Sequence, residues 1–183
     1  MELQFSFIII FLMGIDAIGL QLYITIQSMF NLATDNIISK DHYFIRPNQT
    51  LSDIPTDIHN LFMKKYNCSS ITNSITFGDQ FNTLKIISIC HNCLQNVSKL
   101  VLDGLENLES VKIGEKCFRI DDNKECDDGI CRIVNCPNLA QLEIGCDSFD
   151  HFKSFELSNL NSLQSICFKD GCFNYADFVL KGE

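Results

Sequence analysis

Basic residues are scarce in this 183-residue chain, and they form no basic run. The chain has 14 Lys and Arg against 23 Asp and Glu, a formal net charge of −9 at pH 7 and a sequence pI of about 4.8. Nucleic acids and anionic membranes are bound through clustered Lys and Arg side chains. The composition therefore argues against both kinds of partner.

Signatures of catalysis are also lacking. None of the histidines falls in a nucleophile–base motif, and they share no common position in the sequence: His42, His59, His91 and His151. The chain also lacks a glycine-rich phosphate loop. We therefore predict a non-enzymatic protein that carries no cofactor.

Four copies of one apolar pattern fill the second half of the chain. Each copy reads Leu-x-x-Leu-x-Leu, with conservative replacements, and has a Phe or Leu five places further on. The copies begin at Leu84, Leu108, Leu139 and Leu163. The period is about 24 residues with one longer interval, which is typical of solenoid proteins.

A second short element precedes each copy at a nearly constant distance. Leu102, Ile133 and Leu157 occupy equivalent places in three of these elements. Alternation such as Val111 and Ile113 around Lys112 puts apolar side chains on one strand face. Each coil should therefore contain two short strands and two turns, and neighbouring coils must stack to bury their apolar faces.

The repeat resembles the leucine-rich repeat family, whose consensus is Leu-x-x-Leu-x-Leu-x-x-Asn-x-Leu. The first copy matches it at every consensus place: Leu84, Ile87, Ile89, Asn92 and Leu94. Residues 113–118 and 144–149 are similar to the Ile-Gly-x-x-small-Phe strand end of the short-coil, BspA-like subclass. The resemblance implies a leucine-rich repeat solenoid, a β-rich right-handed superhelix of short parallel strands with little helix.

The later copies depart from the family consensus. They carry Lys116, Asp147 and Gly171 at the asparagine position, so we do not expect a continuous asparagine ladder. Residues 178–183 match the opening strand of a further coil, and no polar cap follows them. This pattern favours a truncated repeat protein whose exposed apolar end promotes self-association.

Three regions follow from these patterns. The repeats occupy 75–183, as copies at 75–94, 100–118, 131–149 and 155–173 and a partial copy at 178–183. Residues 20–74 form an N-terminal flanking or capping region, because residues 51–61 follow a degenerate version of the repeat. Residues 1–19 form an apolar segment that is a possible signal peptide.

The N-terminal segment is compatible with more than one cellular location. Cleavage near Gly19 would export the chain, whereas a longer apolar stretch from Phe5 to Ile26 would be a membrane anchor with Asp16 in mid-span. The third alternative is an ordinary buried strand. An extracellular or cell-surface location is slightly favoured over the cytoplasm, and membrane association is expected only if the segment is an uncleaved anchor.

Ten cysteines raise the question of zinc and disulfides. The repeat register assigns most of them a structural role, because Cys93, Cys117 and Cys172 fall at one small-residue place that Ser148 fills in the remaining copy. We therefore predict no metal site. Cys126 and Cys131 are the best candidates for a disulfide if the chain is exported. They flank or lie in an acidic insertion at 121–129, which we interpret as a solvated loop.

The resemblance also implies which side chains face a partner. If the family orientation holds, the concave strands expose Ser88, Cys90, Ser110, Lys112, Gln141, Glu143, Ser165 and Cys167. We therefore predict a protein–protein interaction module whose partner protein the sequence does not identify. The alternatives are a structural or adhesive surface protein, and a truncated repeat fragment without independent function.

Overall fold

The computed structural model describes residues 41–45, 48–64, 71, 73–95, 97–119 and 129–182. These residues belong to one compact unit that spans 39–183. The predicted signal peptide at 1–19, most of the acidic insertion and Cys126 lie outside the described residues. Within the described ranges, none of the helical segments has the length and apolar character needed to cross a bilayer.

Short strands dominate the described part of the chain, with two single 3₁₀ turns at Leu51–Asp53 and Asp79–Phe81. The strands are β1 (Tyr43–Phe44), β2 (Asn60–Met63), β3 (Asn73–Phe77), β4 (Ile86–Ile89), β5 (Val97–Asp103), β6 (Ser110–Ile113), β7 (Ile130–Val134), β8 (Gln141–Ile144), β9 (Ser154–Ser158), β10 (Ser165–Phe168) and β11 (Asp177–Lys181).

The strands form two parallel sheets. The first sheet has the order β1-β2-β4-β6-β8-β10, and the second has the order β3-β5-β7-β9-β11. From β2 onward the chain therefore alternates between the sheets, and every coil adds one strand to each. Every pairing between described strands is parallel. The predicted β-rich solenoid of short parallel strands with little helix is confirmed.

The hydrophobic core lies between the inner faces of the two sheets. The pairing register lines up equivalent residues, so that the apolar residue of one coil lies directly over that of the next. One inner row of each sheet is almost fully buried: Leu61, Ile87, Val111 and Leu142 in the first, and Ile75, Leu100, Cys131 and Phe155 in the second. The two apolar faces therefore remove each other from water.

A column of phenylalanine rings fills one turn of the solenoid. Phe149 stacks between Phe118 and Phe173, with ring centroids 4.5 and 4.6 Å apart and nearly parallel planes. Leu94 fills the same place in the first coil. All four residues have positive φ, between 53° and 59°, which is unfavourable for bulky side chains. Burial of the ring or side chain offsets this local strain.

The solenoid extends upstream of the predicted repeats. Ile58, Leu61 and Met63 have the spacing of Leu84, Ile87 and Ile89, and β2 pairs with β4 in the register that later coils keep. β1 pairs with β2 on the side opposite β4. Residues 51–61, which the sequence presents as a degenerate capping unit, thus lead directly into a regular strand of the first sheet.

Candidate interaction surface

The outer face of the first sheet carries two rows of partly or fully exposed side chains. The strand register places seven of the eight predicted partner-facing residues in these rows. The first row is Phe44, Phe62, Ser88, Lys112, Glu143 and Cys167, and the second is Asn60, Ile86, Ser110, Gln141 and Ser165. The eighth predicted residue, Cys90, directly follows β4 and is exposed.

Charged side chains on this face neutralise one another across neighbouring strands. Lys112 Nζ lies 3.0 Å from Glu143 Oε2, and at the sheet margin Lys85 Nζ lies 3.6 Å from Glu109 Oε1. Both pairs are exposed, where an ion pair contributes at most about 1 kcal/mol to stability. Their main effect is that the middle of the face presents paired charges and neutral polar groups.

The upstream end of the same face is aromatic. The Phe62 ring stacks with two rings of the β1 segment, His42 at 5.7 Å and Phe44 at 5.0 Å between ring centroids. Lys64 Nζ lies 4.6 Å from the centroid of the Phe44 ring, a cation–π contact. Phe44 and Phe62 point away from the core and are only half-buried. Phenylalanine is one of the residue types enriched at protein interfaces relative to the rest of the surface.

Sequence reasoning missed this aromatic end, because β2 lies in the region interpreted as a cap. The signal was present in the sequence. The spacing Ile58-x-x-Leu61-x-Met63 assigns Phe62 to the outward position that Ser88 and Lys112 occupy in later coils. Treating this segment as a full copy of the repeat would have placed Phe62 on the predicted surface.

Thiol and hydroxyl groups connect successive coils at the turn that follows the first sheet. Cys117 Sγ donates to the Cys90 carbonyl oxygen at 3.0 Å, and Cys172 Sγ donates to that of Gly145 at 3.0 Å. Ser148 Oγ, in the same column, donates to the Gly114 carbonyl oxygen at 2.9 Å. Small donors, buried at Cys117 and Ser148 and partly buried at Cys172, therefore hold this turn.

An amide ladder is present at the opposite turn, after the second sheet. Asn159 Nδ2 donates to Asn135 Oδ1, and Asn135 Nδ2 donates to Asp103 Oδ1, both at 2.8 Å. Asn135 and Asn159 have φ near +54°, a conformation that asparagine adopts more readily than most residues. The asparagines thus support the turn both through their backbone conformation and through contacts between coils.

The structure describes only one of the two cysteines of the predicted disulfide. Cys131 is a fully buried thiol on the inner face of β7, and burial raises its pKa. Cys126 lies outside the described residues, so the pairing stays a prediction. Among the described residues, no group of three or more His, Cys, Asp or Glu side chains is arranged to hold a metal ion.

Buried thiols should make the fold sensitive to alkaline pH. Burial raises the pKa of Cys117 to about 12 and that of Cys136 to about 11. Unfolded thiols ionise near pH 8.5, so above that pH the unfolded chain binds fewer protons than the folded one. We expect the free energy of unfolding to fall as pH rises from about 9 to 11, by up to about 1.4 kcal/mol per pH unit for each such thiol. Urea unfolding across this range measures the effect.

The control is Cys117→Ser, because Ser148 shows that a hydroxyl fits this column. Removing one ionisable buried group should make the decline with pH shallower while leaving the hydrogen bond to the Cys90 carbonyl in place. Identical slopes for the two proteins would show that other groups cause the alkaline loss.

Comparisons with protein-family models, curated proteins and solved structures found no match to this chain.

Proposed function

We propose that this chain is a non-enzymatic protein–protein interaction module that binds its partner through the outer face of the first sheet. The supporting observation is the continuity of this face. The aromatic end, the Lys112–Glu143 pair and the polar rows lie on adjacent strands in a constant register. An ordered array of this kind across adjacent strands suits contact with an extended protein surface rather than enclosure of a small molecule.

The chemistry of the face favours one kind of partner over others. The paired Lys112 and Glu143 leave little net field, so a strongly charged ligand would gain little by binding there. Phe62 and Ile86 offer a half-exposed apolar contact, and Ser110 and Gln141 offer neutral hydrogen-bonding groups. We infer a partner protein whose contact surface is apolar at the end that meets Phe62 and Ile86 and neutral polar where it meets the later strands.

The experiment begins by finding the partner at the proposed site. A photo-crosslinking amino acid is placed at position 62 in cells that express the chain, and the crosslinked protein is identified by mass spectrometry. The same probe at Thr76, which is exposed on the outer face of the second sheet, is the matched control. A partner that crosslinks from both positions equally would contradict the proposed face.

Binding of the purified partner then tests individual residues. Phe62→Ser is expected to weaken binding about tenfold or more if Phe62 is the hot spot of this face, because truncation of a hot-spot side chain costs about 2 kcal/mol or more. The paired replacement of Lys112 and Glu143 by serine should weaken binding by a smaller factor. Neither change removes a side chain from the buried core, and thermal unfolding of each variant, measured alongside, separates loss of contact from loss of fold. Calorimetric titration with unchanged affinity for both variants would move the binding site elsewhere.

A further inference from the structure

The turn after β1 repeats the geometry of the turns in later coils. Ile45 N donates to Phe62 O at 3.1 Å, so the ladder between β1 and β2 continues past the end of β1. Asn48 comes three residues after the buried Ile45. The same interval leads from the ends of β4, β6, β8 and β10 to Asn92, Lys116, Asp147 and Gly171. All five turn residues have positive φ, between 54° and 74°, so Asn48 holds an equivalent place in its own coil.

This place in the turn makes no demand on the side chain. Asn48 is exposed, and so are Lys116 and Asp147 at the equivalent place. An amide, an ammonium group and a carboxylate therefore all fit there, and Gly171 shows that a side chain is not needed. A bulky group attached to Asn48 would extend away from the core and would displace no buried residue.

The residues from Asn48 to Thr50 form a glycosylation sequon. Asn48-Gln49-Thr50 has the Asn-x-Thr spacing that N-linked glycosylation requires, and its middle residue is not proline. The Thr50 residue is exposed as well. Two further sequons begin at Asn67 and Asn96, which lie outside the described residues. At Asn48 the acceptor spacing thus coincides with an exposed asparagine in a surface turn.

From this coincidence we propose that Asn48 is an attachment site for an N-linked glycan. The donor is an oligosaccharide carried on a lipid pyrophosphate. Asn48 Nδ2 forms a bond to C1 of the first sugar, and the amide loses one proton. The bond from C1 to the pyrophosphate breaks, and the lipid pyrophosphate leaves with the electron pair. Glycan transfer requires export of the chain, which a signal peptide at 1–19 would provide.

The attachment point borders the proposed interaction surface. Asn48 follows Phe44, on the outer face of the first sheet, by four residues and lies in the turn rather than on a strand. The glycan is independent of the proposed function, because it uses neither of the two rows of the outer face. Loss of the glycan and loss of partner binding can therefore be measured separately.

Both ends of the sequon also have structural roles that the variants must preserve. Asparagine adopts positive φ more readily than most residues. Thr50 Oγ1 donates to Asp53 Oδ2 at 2.9 Å, and Thr50 N donates to the same oxygen at 2.7 Å. Asn48→Gly removes the acceptor but suits the backbone, since Gly171 holds the equivalent place. Thr50→Ser keeps the hydroxyl and the sequon, whereas Thr50→Val removes both.

Mass spectrometry of the full chain expressed in eukaryotic cells tests the site. Peptide N-glycosidase in heavy-oxygen water converts each glycosylated asparagine to a labelled aspartate, and the labelled peptide identifies the position. We expect the label at position 48 in the unaltered chain and in Thr50→Ser. Asn48→Gly and Thr50→Val should lose the label completely. Thermal unfolding of Asn48→Gly should match that of the enzymatically deglycosylated chain, which would show that the turn is intact.

Three outcomes would overturn the assignment. The first is a secreted chain whose position 48 carries no label, including one with glycans at Asn67 or Asn96 alone. The second is an unglycosylated chain that is retained in the cell with Met1 or its initiator-processed end intact. The third is a label at position 48 that persists in Thr50→Val, because it would arise from spontaneous deamidation rather than from a glycan.

Discussion

Replacing Phe149 with alanine is expected to lower the free energy of unfolding by about 3–5 kcal/mol. Its ring is fully buried and stacks between two other phenylalanine rings, while Phe152 meets it edge-on at 4.9 Å. Deleting the ring leaves a cavity in the middle of the column and removes contacts to the coils on both sides. Urea denaturation followed by circular dichroism measures the loss.

Phe149→Leu is the matched control. Leu94 occupies the same column in an earlier coil with nearly the same φ, so leucine is compatible with this backbone. The leucine variant should therefore lose much less stability than the alanine variant. Equal losses would mean that the backbone conformation at this position, rather than the buried ring, determines stability.

Replacing Gly145 with alanine is the second change with a large expected effect. An added Cβ would lie 2.6 Å from both the Gly114 carbonyl carbon and the Glu115 nitrogen. These are backbone atoms of the neighbouring coil, held by the inter-coil hydrogen bond from Gly145 N to Ile113 O. They cannot move away without breaking the ladder, so we expect a loss of about 3 kcal/mol in unfolding free energy.

Gly78→Ala provides the comparison for that experiment. There an added Cβ would meet the end of the Gln80 side chain at 3.2 Å, with backbone no nearer than 3.8 Å. The side chain can rotate away, and alanine reduces the conformational freedom of the unfolded chain. Thermal unfolding should thus show little change, or a small gain, for this variant. A loss as large as that of Gly145→Ala would refute the steric argument.

Both Phe149→Ala and Gly145→Ala disturb contacts between neighbouring coils. In a solenoid each coil contacts only its neighbours, so loss of one interface affects the register of the strands on either side. The proposed interaction surface depends on that register, since each of its rows draws one residue from β2, β4, β6, β8 and β10. Destabilising variants in the middle coils should therefore be excluded before any loss of partner binding is assigned to the outer face.

Part of the surface could be predicted because strand alternation is a local property. Lys112 lies between Val111 and Ile113, and that spacing alone places it on the opposite face from the core. The same reasoning applies to Glu143 and Cys167. The contact between Lys112 and Glu143 could not be predicted from local spacing. This ion pair depends on how two coils of unequal length come into register.

The sequence by itself determined that the chain is a repeat solenoid with two short strands in each coil. Apolar spacing within a coil and its recurrence in the next coil are sufficient for that conclusion, because only stacking buries those side chains. The tertiary structure alone decided that the aromatic residues of β1 and β2 continue the predicted surface, and that thiols and a serine connect the turns. These features depend on inter-strand register and on backbone groups of neighbouring coils, which no single segment of the sequence contains.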